Sequence, residues 1–223
     1  MIITYYGLSC FKIQSGDTTL VFDLPASPKT ASRGGPSKKS NIKPPRFHAD
    51  IALESHDHSG HNGAKGLPAG EAGLSEEKQT FLIDSPGEYE VKGVHIQGFK
   101  TYHDNTVYVV QLENIKLCFL GDYGEKELRP ELKEGIDKID ILFAPIGGET
   151  VLEPEASRNL ANQLEPGIVI PTHYTVHGKK DMLKIFLAEM GQKDVKPIEK
   201  LSIKKKEISE NGTRVVVLEK QGA

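Results

Sequence analysis

The sequence predicts a layered α/β fold in which helices cover β-sheets. Two observations favour it: the first half of the chain is rich in short strand-like segments separated by turn signals, and the last third alternates apolar strands with segments of helical periodicity. With 223 residues, 37% of them hydrophobic, the chain is long enough to bury a sizeable core. We expect one domain spanning residues 1–223.

The N-terminal region begins with a predicted hairpin. Apolar, aromatic and β-branched residues lie on both sides of the turn Ser15-Gly16-Asp17. The segment Pro25–Phe47 is polar and rich in Pro and Gly, which predicts a long loop. Asp50–Leu53 follows as a short apolar strand.

Turn signals such as Pro86-Gly87 divide the middle of the chain into five short strands, which predict an antiparallel meander. These strands are Thr80–Ile83, Tyr89–Val91, Val94–Gly98, Val107–Leu112 and Lys116–Leu120.

The last third predicts strands and helices in alternation, followed by two terminal strands joined by a turn at residues 210–212. The elements are strand Ile139–Ala144, helix Glu155–Leu164, strand Ile168–Pro171, helix Lys180–Met190, and strands Leu201–Ile208 and Arg214–Leu218.

Composition excludes several classes of protein. The net charge of −3 lacks the basic field that usually accompanies nucleic-acid binding. Two cysteines, Cys10 and Cys118, make neither a disulfide framework nor a cysteine-rich zinc site. No signal peptide and no apolar run of about 20 residues is visible, so we expect a cytoplasmic protein without a membrane span.

Three histidines occur within six residues, in His56-Asp57-His58-Ser59-Gly60-His61, directly after a predicted buried strand. Neutral imidazole is a common metal ligand, and closely spaced histidines at a strand end can converge on one ion. The alternative is a polar surface turn that contains histidines by chance.

Three further candidates follow other predicted strands: His103, Asp122 and His173. Each alone would be weak evidence, because a histidine after a strand is often solvent-facing and an Asp after Gly often belongs to a turn. Together, four strand ends that offer imidazole or carboxylate groups predict a metal site on one rim of the fold.

The histidine cluster resembles the His-x-His-x-Asp-His motif of the metallo-β-lactamase superfamily, and the later His, Gly-Asp and His follow that superfamily's order. The segments Ser85–Val91, Tyr102–Asp104 and Tyr6–Phe11 are similar to its ascorbate-6-phosphate-lactonase-like branch. The resemblance spans nearly the whole chain and implies a four-layer αββα sandwich.

The resemblance also implies a ligand set. The first metal site would use His56, His58 and His103; the second would use His61 and His173; and Asp122 would bridge them. Asp23 would be a structural residue or would orient ligands from behind. Zinc suits the first site, with manganese or iron as alternatives, and one or two ions are expected.

The chain departs from the motif at Gly60, where the superfamily has Asp. The second site therefore lacks one anionic ligand, and Asp57 cannot be assumed to replace it. Because of this departure, the alternative that the protein is a metal-impaired, weakly active or non-enzymatic relative stays open.

The expected function is a metal-dependent hydrolase in which an activated hydroxide attacks a small ester, lactone or phosphorylated metabolite. Asp122 would hold the metal and orient the nucleophile, and His177 and Tyr174 would donate hydrogen bonds to the leaving group. A second alternative is a metal-dependent phosphodiesterase or nuclease.

The expected partner is a small-molecule substrate, with no nucleic acid and no membrane, while homo-oligomerisation stays open. The loop Pro25–Phe47 and the turn Gly147–Glu149 are candidate pocket walls. Lys38, Lys39 and Arg46 could attract an anionic group, although solubilising charges on the loop are the alternative.

Overall fold

Two β-sheets pack face to face in the computed structural model, which describes residues 1–26, 45, 47–66, 79–174, 181–208 and 212–222. The described strands, in chain order, are β1 (Ile2–Gly7), β2 (Cys10–Ser15), β3 (Thr18–Phe22), β4 (Ile51–Leu53), β5 (Phe81–Ile83), β6 (Gly87–Val91), β7 (Val94–Lys100), β8 (Thr106–Leu112), β9 (Ile115–Phe119), β10 (Ile141–Pro145), β11 (Ile168–Thr172), β12 (Leu201–Ser202) and β13 (Arg214–Val215). The α-helices are α1 (Pro130–Gly135), α2 (Pro154–Leu164) and α3 (Met182–Glu189).

Both sheets are mixed. The first has the strand order β12-β1-β2-β3-β4-β5, with β3, β4 and β5 parallel to one another. The second has the order β13-β11-β10-β9-β8-β7-β6, in which β9, β10, β11 and β13 are parallel and β6 to β9 form an antiparallel meander. Parallel strands end at the same edge of a sheet, so the loops after them are brought together there.

The main core lies between the sheets and contains stacked aromatic rings. Phe22 from β3 and Phe119 from β9 are both buried, with ring centroids 4.3 Å apart and an interplanar angle of 5°. Phe143 packs edge-on against the ring of Phe11 at 4.8 Å. The alternation of inward and outward residues along these strands brings their apolar side chains onto the shared face.

The helices cover the outer face of the second sheet. Leu160 of α2 and Phe186 of α3 are fully buried against Leu142 and Val169 of that sheet. Proline at the first position of α2 suits a helix start, where no intrahelical donor is needed. The outer face of the first sheet packs against a 3₁₀ turn, Gly63–Gly66, through Ala64. The predicted layered α/β sandwich is confirmed.

Two local predictions, the sheet of Phe81–Ile83 and the extent of the strand Leu201–Ile208, were wrong. Phe81–Ile83 does not join the meander but pairs in parallel with β4 in the other sheet. The two terminal strands lie in different sheets: β12 pairs with β1, and β13 pairs with β11. Of the segment predicted as strand Leu201–Ile208, only Leu201–Ser202 is a strand, and Lys205–Glu207 is a 3₁₀ turn. Local pattern identifies extended segments, whereas their partners depend on tertiary packing.

Within the described part of the chain, no helix has the length and apolar character needed to cross a membrane.

Candidate metal centre

The histidine and aspartate candidates follow strands whose ends meet at one edge of the sandwich. The loop with His56, His58 and His61 follows β4, Asp122 follows β9, and His173 follows β11. Hydrogen bonds tie these loops across the two sheets. The Thr106 amide donates to the Ser55 carbonyl at 2.7 Å.

Two groups of candidate ligand atoms form there. In each group the ligand atoms lie within 4.8 Å of one another: His56, His58 and His61 in one, and His61, Asp122 and His173 in the other. The Asp122 carboxylate lies between the histidines, with Oδ1 at 2.9 Å from His173 Nε2 and 3.6 Å from His61 Nε2. Its other oxygen, Oδ2, lies 3.7 Å from His56 Nε2.

The second group fits a metal ion. Asp122 Oδ1 and His173 Nε2 are buried and have no hydrogen-bond partner among the described residues, although they lie 2.9 Å apart. Buried polar atoms without partners are costly, and a cation between them would satisfy both. Metal–nitrogen and metal–oxygen bonds of about 2.0–2.2 Å put two ligand atoms roughly 3 Å apart. Two imidazoles and a carboxylate are ligands for zinc, iron or manganese.

Asp23 contacts the candidate ligand His61 through hydrogen bonds on the side away from Asp122. Its side chain is fully buried, and Oδ2 accepts hydrogen bonds from His61 Nδ1 at 2.8 Å, Ser9 Oγ at 2.8 Å and Ser55 Oγ at 2.9 Å. Its other oxygen accepts the Ser55 amide at 2.8 Å. A carboxylate that accepts from Nδ1 of a ligand histidine fixes the orientation of the ring. The orienting role predicted for Asp23 agrees with these contacts.

This network also determines where the imidazole protons lie. Because Asp23 is an acceptor, His61 carries its proton on Nδ1, which leaves Nε2 directed at Asp122. Ser55 Oγ donates to Asp23 and therefore accepts from His56 Nδ1, 3.0 Å away. Both histidines thus present Nε2 to the centre, and each can hold a metal through that atom.

The charges at the site are strongly coupled. Burial would lower the pKa of His61, but the carboxylates of Asp122 and Asp23 outweigh it and raise the pKa to about 9. Burial, together with the charge of His61, lowers the pKa of His56 to about 4. Burial would raise the pKa of Asp122, but His61 and His173 hold it well below its usual range. Without a metal, a proton on His61 therefore balances the buried carboxylates at neutral pH.

His173 is held by two close backbone contacts that the sequence pattern does not reveal. Its backbone is left-handed, with φ of 62°, and its amide donates to the carbonyl of Leu8 at 3.0 Å. A Cβ at Gly147 would lie 2.7 Å from the His173 carbonyl oxygen, so only glycine allows this approach. Gly147, the first residue of the turn that was predicted as a pocket wall, therefore packs against His173.

Known proteins share this arrangement of sheets and loops. A model of the Beta-lactamase superfamily domain matches residues 2–173. A crystal structure from Thermotoga maritima, described as a candidate Zn-dependent hydrolase of the metallo-β-lactamase superfamily, has a TM-score of 0.73, 30% identity and 97% coverage of both chains. This chain belongs to the metallo-β-lactamase superfamily.

Curated relatives agree with the membership. A UPF0173 metal-dependent hydrolase of Listeria welshimeri is 26% identical over 206 residues, which cover 78% of this chain and 85% of the relative. A UPF0173 protein of Pyrococcus furiosus is 24% identical over 226 residues, covering 91% of this chain and all of the relative. An isothiocyanate hydrolase from Delia radicum gut bacteria, at 12% identity and a TM-score of 0.67, shows the fold alone.

Two candidate residues, His103 and Asp57, lie outside both ligand groups of the described residues. His103 is exposed on the 3₁₀ turn Tyr102–Asp104 and belongs to neither ligand group of the described residues. The exposed Asp57 accepts a hydrogen bond from Asn62 Nδ2 at 2.6 Å, and it likewise lies outside both groups. It therefore does not replace the carboxylate that Gly60 lacks.

Tyr174 and His177 were predicted to donate hydrogen bonds to the leaving group. The Tyr174 hydroxyl donates to the Leu218 carbonyl at 2.9 Å, so the prediction that it donates to a leaving group was wrong. Burial raises its pKa to about 12. His177 lies outside the described residues, as do Lys38, Lys39 and Arg46.

Sequence reasoning missed four residues that position the candidate ligands. Ser9 and Ser55 donate to Asp23, Asn105 Oδ1 accepts the Asp122 amide, and Gly121 leaves room for that contact. Each is small or polar and follows no periodic pattern. The only signal was position, since Ser55 immediately precedes the histidine cluster and Gly121 precedes Asp122.

Proposed function

We propose that this member of the metallo-β-lactamase superfamily is a metal-dependent hydrolase acting on a small, anionic ester, lactone or phosphorylated metabolite. The observation that carries the proposal is the buried pair Asp122 Oδ1 and His173 Nε2, which lie 2.9 Å apart without hydrogen-bond geometry and next to His61 Nε2. The Listeria and Thermotoga relatives are named as metal-dependent or Zn-dependent hydrolases, which supports the same class.

The donor set would hold zinc, iron or manganese through His61, Asp122 and His173, with His56 and His58 as further ligands. When bound, such an ion lowers the pKa of a coordinated water from about 15.7 to near 7 and polarises an oxygen of the substrate. His103 is proposed as an additional ligand from its exposed turn.

The chain's own residues prepare the site in three ways. Asp122 stays ionised, because the neighbouring imidazoles hold its pKa low, and it supplies negative charge for a cation and for orienting a nucleophile. Asp23 keeps the proton of His61 on Nδ1. Ser55 does the same for His56. The ring nitrogens that face the centre are therefore directed at a metal, and His61 releases its second proton when it binds one.

The substrate class is inferred from other observations, because one fold hosts many activities. Similarity to the ascorbate-6-phosphate-lactonase-like branch favours a phosphorylated lactone or ester. Preference for an anion would come from the basic residues of the long N-terminal loop, and nucleic acid is not expected with a net charge of −3.

The first experiment is elemental analysis of protein purified without added metal or chelator. We expect one or two metal ions per chain, lost in His173→Ala and reduced in His58→Ala. His95→Ala is the matched control, because that histidine is 62% exposed and pairs with Glu90 away from the centre. Protein that binds no zinc, manganese or iron even after reconstitution would overturn the proposal.

The second experiment is hydrolysis of a panel of lactones, carboxylic esters and phosphodiesters by the metal-loaded protein. Asp122→Asn should lower kcat/KM by at least about 100-fold, since it removes the anionic ligand. Metal binding without any hydrolysis, or a substoichiometric metal content, would favour a second candidate, a metal-impaired, weakly active or non-enzymatic relative. Gly60 and the outward contact of Asp57 with Asn62 are the observations behind that candidate.

A further inference from the structure

Asn105 lies between two loops that carry candidate ligands. It is only 1% exposed, and its amide uses every hydrogen-bonding group. Nδ2 donates to Thr101 Oγ1 at 2.9 Å and to the Leu120 carbonyl at 3.0 Å. Oδ1 accepts the backbone amide of Asp122 at 2.9 Å. Because one side must accept and the other must donate twice, only one orientation of the amide satisfies the site.

The backbone of Asn105 closes the turn that carries His103. Its carbonyl accepts both the amide of Thr101 at 2.7 Å and Thr101 Oγ1 at 2.9 Å. Within that turn His103 and Asp104 are left-handed, with φ of 56° and 58°. Non-glycine residues keep such conformations only where the surrounding contacts hold them.

The same segment reaches the histidine cluster. Thr106, the next residue, donates its amide to the carbonyl of Ser55, which immediately precedes His56. On the opposite side, Gly121 makes the approach to Asp122 possible, because a Cβ there would lie 2.4 Å from Asn105 Oδ1. Asn105 and its neighbour therefore connect three loops that carry candidate ligands, without lying in either ligand group of the described residues.

We propose that Asn105 is a positioning residue of the metal centre. Its amide fixes the backbone of Asp122 relative to the histidines, and its carbonyl fixes the turn of His103. This inference rests on the proposed function only in requiring that the centre binds a metal, and not on any particular substrate.

The test compares zinc affinity, measured by chelator competition, in the wild type, Asn105→Ala and Leu160→Ala. Leu160 is fully buried on α2, so its substitution destabilises the fold away from the ligand loops. We expect Asn105→Ala to raise the Kd for zinc about 10–100-fold, the usual effect of losing a residue behind a metal ligand. Leu160→Ala should lower the melting temperature and leave the Kd within twofold. The visible spectrum of the Co(II)-loaded protein should change in Asn105→Ala alone.

An unchanged Kd in folded Asn105→Ala would overturn the inference, as would an equal loss of affinity in Leu160→Ala. If Asn105→Ala does not fold, the Kd for zinc of Thr101→Val tests the inference instead. This variant keeps the shape and removes the hydroxyl that bonds Asn105 twice, so we expect a Kd several-fold above wild type, and an unchanged Kd overturns the inference. Wild type that binds no metal overturns both proposals, whereas metal binding without hydrolysis removes only the hydrolase.

Discussion

Replacing Gly121 by alanine tests how Asp122 is held at the centre. Gly121 has φ of +59°, and a Cβ there would lie 2.4 Å from Asn105 Oδ1 and 2.7 Å from Ser55 Cβ. Both neighbours are buried and hydrogen-bonded to residues of the site, so neither can move aside without disturbing Asp122 or Asp23.

The magnitude follows from two costs. An alanine in the left-handed conformation costs about 1–2 kcal/mol. Forcing a methyl group into a packed site adds about 1–3 kcal/mol. Gly121→Ala should therefore destabilise the protein by about 2–5 kcal/mol. Gly16→Ala is the matched control, because Gly16 has a similar φ of +55° and no described atom within 4 Å of the new Cβ. Gly16→Ala should therefore show only the first cost, about 1–2 kcal/mol for an alanine in the left-handed conformation.

Urea unfolding of the metal-free variants measures the stabilities, and zinc competition measures the affinities. We expect Gly121→Ala to bind zinc about 10–100-fold more weakly and Gly16→Ala to bind like the wild type. Equal stability losses in the two variants would refute the steric reasoning. Wild-type zinc affinity in folded Gly121→Ala would refute the claim that this contact positions Asp122.

Four further predictions concern protonation, the motif departure and the core. Because His61, with its pKa raised to about 9, must release a proton to bind zinc, affinity should rise about tenfold per pH unit from pH 7 to 9 and then level off. In the metal-free protein the same raised pKa contributes stability below about pH 6.5 that is lost as the pH rises through about 9. Gly60→Asp should raise the metal content per chain. Phe22→Ala removes the ring stacked on Phe119 and should cost about 3–5 kcal/mol in urea unfolding.

Each of these has an opposing outcome. If zinc affinity does not change between pH 7 and 9, and calorimetry detects no proton release on binding, His61 is neutral without metal. If Gly60→Asp leaves the metal content unchanged, Gly60 is not the cause of a missing ion. Gly60→Ala is the control for the added Cβ, which would lie 3.3 Å from His58 Nδ1. A loss below about 1 kcal/mol in Phe22→Ala would indicate a core that collapses around the gap.

The sequence alone predicted the fold class and the residues that the structure brings together in the two candidate ligand groups. Strand-like segments such as Thr18–Phe22 are local patterns, and the structure has β3 over the same residues. His56, His58, His61, Asp122 and His173 are visible because each follows a buried strand, and parallel strands bring their ends to one edge. Periodicity did not reveal α1, a short helix that begins at Pro130.

Tertiary structure alone decided strand partners and the setting of the ligands. Whether Phe81–Ile83 pairs with the meander or with β4 depends on contacts far away in the chain, which no local pattern encodes. The same holds for Asp23, 38 residues before His61, and for Asn105, 17 residues before Asp122. Hydrogen bonds at such separations form only when the sheets pack, so the ligands could be predicted from residue type, but the network that orients them could not.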